Sequence, residues 1–166
     1  MTEAEPGGIR AVVLDTNIVL DLLVFNDKAC AHLRAAMAQG SLQWIGTLPM
    51  REELARVLAY PQIVKSLAHH HTTAGQVLEH LDAQARMVEV VSKAPVTCKD
   101  PDDQKFIDLA VAYQSVLLSK DRAVLCMQKR LLALGVLAQS AIHCGVDSHA
   151  MTQAARSCAG IGRAMP

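Results

Sequence analysis

The chain has 166 residues, enough for one domain with a substantial core, and its 51% apolar and 3% aromatic residues make that core aliphatic. Formal net charge is zero, which excludes a protein that coats nucleic acid by bulk charge but leaves room for a local basic rim. The five cysteines are odd in number, widely spaced and without a CxxC pair, so zinc ribbons and redox motifs are excluded and a reducing cytoplasm is expected.

In chain order, the acidic opening MTEAEPGGIR lacks the apolar stretch of a secretion leader, and residues 1–9 read as an arm. No later stretch has the length and apolarity of a membrane span. Arg10 to Leu14 (RAVVL) is a short continuous apolar run, typical of a buried parallel strand. It ends in Asp15-Thr16-Asn17, and a helical turn or two follows over Ile18 to Val24. Asp15 reads either as a helix cap or as a functional acid at a strand's carboxyl end. Asp27 starts a second helix through Met37, closed by Gly40, with His32 and Arg34 on its polar face, and Leu42 to Gly46 follows as a strand. Pro49 to Ala59 predicts a helix whose two glutamates differ. Glu52 lies four before Arg56 as a solvated pair, whereas Glu53 lies three after Met50 and four before Val57, on the apolar side. Pro61 breaks this helix, and Ile63 to Leu67 reads as a connector. His69-His70-His71 reads as an exposed polar junction, since consecutive histidines on an extended segment point to alternating sides and lack partner ligands. Thr72 or Thr73 caps a helix to Arg86, Met87 to Val91 is a strand, and Ser92 to Thr97 is a loop.

The most informative stretch is CKDPDDQKFIDLAVAYQSVLLSKDRAVL, from Cys98 to Leu125. Phe106, Ile107, Leu109, Ala110, Val111 and Tyr113 recur at helical spacing, with Pro101 outside the helix and Asp102 placed to cap it. Asp103 falls three and seven positions before Phe106 and Ala110, on the stripe that should face a sheet. A carboxylate there costs roughly several kcal/mol unless a cation or donors meet it. Asp108 falls on the solvent side. The strand Ser115 to Ser119 delivers Lys120 and Asp121 to the start of the next helix, the edge where parallel α/β sheets bind ligands. That helix turns Val124, Met127, Leu131 and Leu134 inward. Leu137 to Cys144 is the place for a last strand, Ser148 to Ala159 for a small helix, and Gly160 to Pro166 for a frayed end.

These elements predict an α/β sandwich with a mainly parallel central sheet over 10–146, followed by a tail over 147–166. Two acids follow strands and two lie on inward helix faces. Four carboxylates brought together repel unless cations neutralise them, and oxygen ligands without His or Cys select Mg²⁺ or Mn²⁺. Such a site can activate water for in-line attack on a phosphodiester. There is no GxGxxG or Walker A glycine pattern and no GxSxG. Phosphotransfer through an aspartyl nucleophile would want a second Asp two places after Asp15, where Asn17 stands.

VVLDTNIVL, EELARVL and CKDPDDQKFIDLA followed by LLSKD resemble, in order and spacing over roughly residues 10–134, the PIN-domain nucleases. The nearest resemblance is to the bacterial toxins of toxin–antitoxin pairs. It implies a PIN-like three-layer α/β/α sandwich, divalent-metal-dependent ribonuclease activity, homodimers and an antitoxin partner. Carried over by motif, Asp15, Glu53, Asp103 and Asp121 match the catalytic and metal-holding acids. Asn17 matches a companion of the first acid, and Ser119 a hydroxyl near the site. Asp100 and Asp102 are secondary candidates, and Lys99, Lys105, Lys120 and Arg122 flank the acids as phosphate contacts. Many relatives carry a further acid two places after the last Asp; here Ala123 stands there, and residues 135–166 are unmatched. The expected function is an endoribonuclease acting on single-stranded or loop RNA. The rivals are a catalytically weak RNA-binding or interaction module, favoured by Ala123, and a DNA-directed structure-specific nuclease, disfavoured by the small size.

Overall fold

The structure, a computed structural model, describes residues 8–142; the expected helix over Ser148–Ala159, the frayed end and most of the arm lie outside the described residues. The apolar runs form the strands β1 (Arg10–Leu14), β2 (Leu42–Gly46), β3 (Arg86–Met87), β4 (Val116–Leu118) and β5 (Leu137–Gln139). They make one five-stranded sheet in the order β3-β2-β1-β4-β5, and every pairing is parallel. Leu14 of β1 is in register with Leu118 of β4, so the two strands that carry acids beyond their ends finish side by side.

Strand alternation splits the core in two, because successive side chains leave opposite faces of the sheet. Val12, Leu14, Val116 and Leu118 face one layer, made by α1 (Thr16–Leu23), α2 (Ala31–Ala38), α3 (Leu48–Leu58), α4 (Pro61–His69) and α5 (Ala74–Gln84). Val13 and Leu117 face the other, made by α6 (Gln104–Tyr113), α7 (Arg122–Leu125) and α8 (Gln128–Ala133). The α/β/α layering expected from the sequence is therefore present, with a sheet that is parallel throughout the described residues.

Several local expectations are corrected. Pro61 does not lead into a connector: it takes the first position of α4, where its missing amide proton costs nothing, and Ile63 to Leu67 are helical. The three histidines end that helix rather than extend, with His71 in the left-handed region at φ 54°, and all three are exposed as expected. α5 stops at Gln84, and only Arg86–Met87 of the run to Val91 pairs in the sheet, as an exposed edge. The single helix expected after Asp121 is two short ones, with Met127 buried at the break. Asp102 does not cap the helix at the acidic stretch. Asp100 caps a 3-10 turn, Pro101–Asp103, by accepting from the Asp102 amide at 2.9 Å. Asp108 does not point to solvent: half-buried, it accepts from the Ala94 amide (2.9 Å) and the Gln104 amide group (2.7 Å), pinning the loop before the site. Among the described residues Glu52 is exposed and makes no ion pair with Arg56; this helix pairs instead through Arg51 with Asp82 and through Glu53 with Lys105. Arg34 reaches back to the Leu22 carbonyl at 2.8 Å instead of facing water.

Candidate functional site

Asp15 leaves β1 and opens α1, and its amide donates to Leu118 O of β4 at 3.0 Å. Its Oδ1 accepts from the amides of Asn17 (2.8 Å) and Ile18 (3.2 Å), and its Oδ2 from the Ser119 hydroxyl at 2.5 Å. Asp15 is thus a true helix cap, and it is also 2% exposed at the sheet's carboxyl edge. Burial raises its pKa. The Ser119 hydroxyl and the two amides oppose the rise, and the Asp121 carboxylate adds to it. Asn17 contributes its backbone amide while its side chain is exposed. Ser119 is fully buried and two-handed: it donates to Asp15 and accepts from the Asp121 amide at 3.0 Å. Asp121 in turn caps α7 through the Ala123 amide at 2.9 Å.

Asp103 closes the 3-10 turn at the head of α6 and is 8% exposed. Its Oδ2 is buried with no hydrogen-bond partner. Burial first, then the Asp121 carboxyl group, with which it can share a proton, and the charges of Asp100 and Asp15 push its pKa up to about 8. Carboxylate oxygens of Asp100, Asp103 and Asp121 lie within 4.8 Å of one another. Three hard oxygens in reach of one point, one of them from a buried carboxylate with an unmet lone pair, suit a hard divalent cation.

Glu53 sits beside this group but is engaged elsewhere. Its Oε2 accepts from the Thr16 hydroxyl, and its Oε1 pairs with the Lys105 ammonium at 2.7 Å. Thr16 adjoins Asp15 in the chain and Lys105 follows Asp103 by two, so Glu53 joins the same edge from α3. Lys105 also donates to Asp102 O at 2.5 Å. Lys120 pairs with Asp21, a nearly buried acid on α1, and this partner raises its pKa. Lys99 and Arg122 are exposed next to Asp100 and Asp121 and make no ion pair among the described residues.

Sequence reasoning missed Thr16, Asp21 and Gln104. Asp21 had a signal, an acid inside an apolar helix between Leu20 and Leu22. Gln104 had none: its side chain ties the Cys98 amide (2.7 Å), Val96 O (3.0 Å) and Asp108 (2.7 Å), a loop clamp that only three-dimensional contact reveals.

A parallel α/β sandwich with acids gathered beyond the carboxyl ends of two adjacent central strands defines a class of protein whose ligand-binding edge is acidic and suited to a cation. A sequence model of the PIN domain family matches residues 11–123, more than half of the chain, and the chain belongs to that family. PIN domains are generally metal-dependent nucleases that act on nucleic acid. No curated protein matches the chain. No helix among the described residues is long and apolar enough to cross a membrane.

Proposed function

We propose that this chain is a divalent-metal-dependent endoribonuclease that hydrolyses phosphodiester bonds in single-stranded or loop RNA with Mg²⁺ or Mn²⁺. We further propose that it is the toxin of a toxin–antitoxin pair, a cytoplasmic homodimer with residues 10–146 as the nuclease domain, 1–9 as an arm and 147–166 as a tail. The observation that carries the catalytic reading is the group of Asp100, Asp103 and Asp121 carboxylates, with the buried Oδ2 of Asp103 left without a donor. The toxin role, the dimer and the antitoxin rest on the motif resemblance.

In this reading Asp15, Glu53, Asp103 and Asp121 are the catalytic and metal-holding acids, supported by Ser119, Asp100 and the Asn17 amide. A bound divalent ion supplies Lewis-acid polarisation of the phosphate and a lowered pKa for water. Ser119 fixes the Asp15 carboxylate relative to Asp121, so the acids at the ends of β1 and β4 keep a constant spacing. Lys99 and Arg122, free of partners among the described residues, hold backbone phosphates on either side of the acids. Lys105 and Lys120 are tied to Glu53 and Asp21 and orient the site instead.

Labelled single-stranded RNA, hairpin RNA and branched DNA incubated with the protein in Mn²⁺ or in chelator test this reading. RNA should be cut in Mn²⁺ alone, and Asp103→Asn should abolish cutting. RNA that is retained in a gel shift but never cut would establish the binding-module alternative. That alternative is favoured by Ala123, which offers no carboxylate and whose carbonyl accepts from the Cys98 thiol at 3.4 Å. Cleavage of branched DNA alone would establish the DNA-directed alternative. Growth arrest on induction, relieved by a small neighbouring reading frame, tests the toxin role.

A further inference from the structure

The acids at the sheet edge differ in what a cation must displace to reach them, and Asp15 already has one oxygen on the Asn17 and Ile18 amides and the other on the Ser119 hydroxyl. The Asp103 carboxylate has an oxygen with no partner and shares a point with Asp100 and Asp121, so an ion binding there displaces no protein donor from it. Glu53 has both oxygens occupied, one by the Thr16 hydroxyl and one by the Lys105 ammonium at 2.7 Å. That ammonium is held on three sides: it also donates to Asp102 O at 2.5 Å and lies 4.9 Å from the centre of the Phe106 ring. Lys105 and Glu53 are 26% and 18% exposed at the side chain, so the pair is more shielded than a surface ion pair. A second divalent ion on Glu53 would have to expel a tethered cation from a place it already neutralises.

We infer that Lys105 stands in for a second metal ion, so that this chain takes a single divalent cation, on Asp100, Asp103 and Asp121, while the Lys105 ammonium neutralises Glu53. Asp100 is then a direct ligand rather than a supporting residue, and Lys105 is a positioning residue. The inference rests on the proposed metal-dependent reading of the site, adds its stoichiometry, and revises its ligand set: Asp100 joins Asp103 and Asp121 on the ion, and Asp15 and Glu53 line the site without touching it.

Calorimetric titration of the full, metal-stripped chain with Mn²⁺ tests it without reference to cleavage. Wild type should bind one ion. Asp100→Asn keeps an oxygen that can cap the Asp102 amide but loses a charged ligand, and should weaken that ion's affinity by tenfold or more. Asp102→Asn, on an exposed side chain that joins no ligand group, should leave it unchanged. Lys105→Met should bring a second, weaker Mn²⁺ to the protein, and Lys105→Arg should restore a count of one. A wild type that binds two ions of similar affinity, or an Asp100→Asn variant that binds as tightly as wild type, overturns the inference and leaves the metal-dependent reading intact. A wild type that binds no Mn²⁺ overturns both. If Lys105→Met does not fold, the wild-type count and the Asp100→Asn affinity still decide.

Discussion

Asp103 combines a position on a core-facing helix stripe with a carboxyl group whose pKa burial and neighbouring acids push from 3.8 to about 8. Between those values the folded, metal-free chain keeps a proton on Asp103 that the unfolded chain has lost. Its stability therefore falls as pH rises through that window, and the whole penalty is present above about 8. Asp103→Asn removes the titrating group and should flatten this part of the profile. Near neutral pH in chelator the variant should be as stable as wild type or more stable by about 1 kcal/mol. Mn²⁺ should raise the melting temperature of wild type and raise that of the variant much less. Melts of both proteins across pH, with chelator and with Mn²⁺, check it; a variant that melts well below wild type in chelator and gains equally from Mn²⁺ would make Asp103 a structural residue. Asp103 and Glu53 stand out in the sequence because a misplaced acid shows in a periodic pattern. Thr16 and the Lys105 tether do not, since a hydroxyl two residues past a strand and a lysine on a helix margin break no pattern.

At the level of elements, continuous apolar runs and capping residues carried most of the information. Arg10–Leu14 and Leu42–Gly46 are strands over the residues their sequence suggests, because short runs that are mostly apolar and flanked by polar or turn residues suit a strand buried in a parallel sheet. The failures lie where one residue type serves two purposes. Pro61 ends α3 and begins α4, so a breaker hid a helix start. Met87 to Val91 look like a strand, yet contact with β2 ends at the Val88 amide, which donates to Gly46 O at 2.8 Å, and Val90 is exposed. Thr73 was legible as a cap, and the structure shows the full reciprocal arrangement: its hydroxyl accepts from the Gln76 amide at 3.1 Å while the Gln76 side chain accepts from the Thr73 amide at 3.0 Å. Thr73→Ala should cost about 1 kcal/mol in urea unfolding, with the denaturant slope unchanged. A loss within error would mean that α5 is held by Val77 and Leu81 in the core and not by its cap.

For the molecule as a whole, the sheet divides two aliphatic cores, and the three thiols among the described residues are distributed across them. Cys30 lies in one core and Cys98 in the other, both buried and both with pKa values raised by that burial, while Cys126 is exposed on the second side. All three are free thiols. Brief alkylation of the native protein, mapped by mass spectrometry under non-reducing conditions, should therefore modify Cys126 and spare Cys30 and Cys98 until the chain unfolds. Early modification of Cys98 would show that the loop carrying Asp100 opens independently of the core. The layered architecture was legible from the alternation of apolar runs and helices. The strand order was not, because it is set by which crossovers pack, and the second pairing partner of β1 comes from about a hundred residues further along the chain, where loop-closure entropy and not local pattern decides.

The double duty of Asp15 changes what its presence in a descendant of this chain would reveal. Its carboxylate caps α1 and receives the Ser119 hydroxyl, so a lineage that had abandoned catalysis would still lose stability by discarding it. Drift would remove it slowly, and a retained Asp at that place would say little about activity. Asp103 is held by no such bond at Oδ2, and burial and the neighbouring acids raise its pKa, so its neutralisation should favour the metal-free fold. Once cation binding ceased to matter, Asp103 would be among the first acids to go. On the proposed metal-dependent reading, the residue at that place, and not the one at Asp15, is the one that would separate working enzymes from inherited scaffolds in a population of such chains.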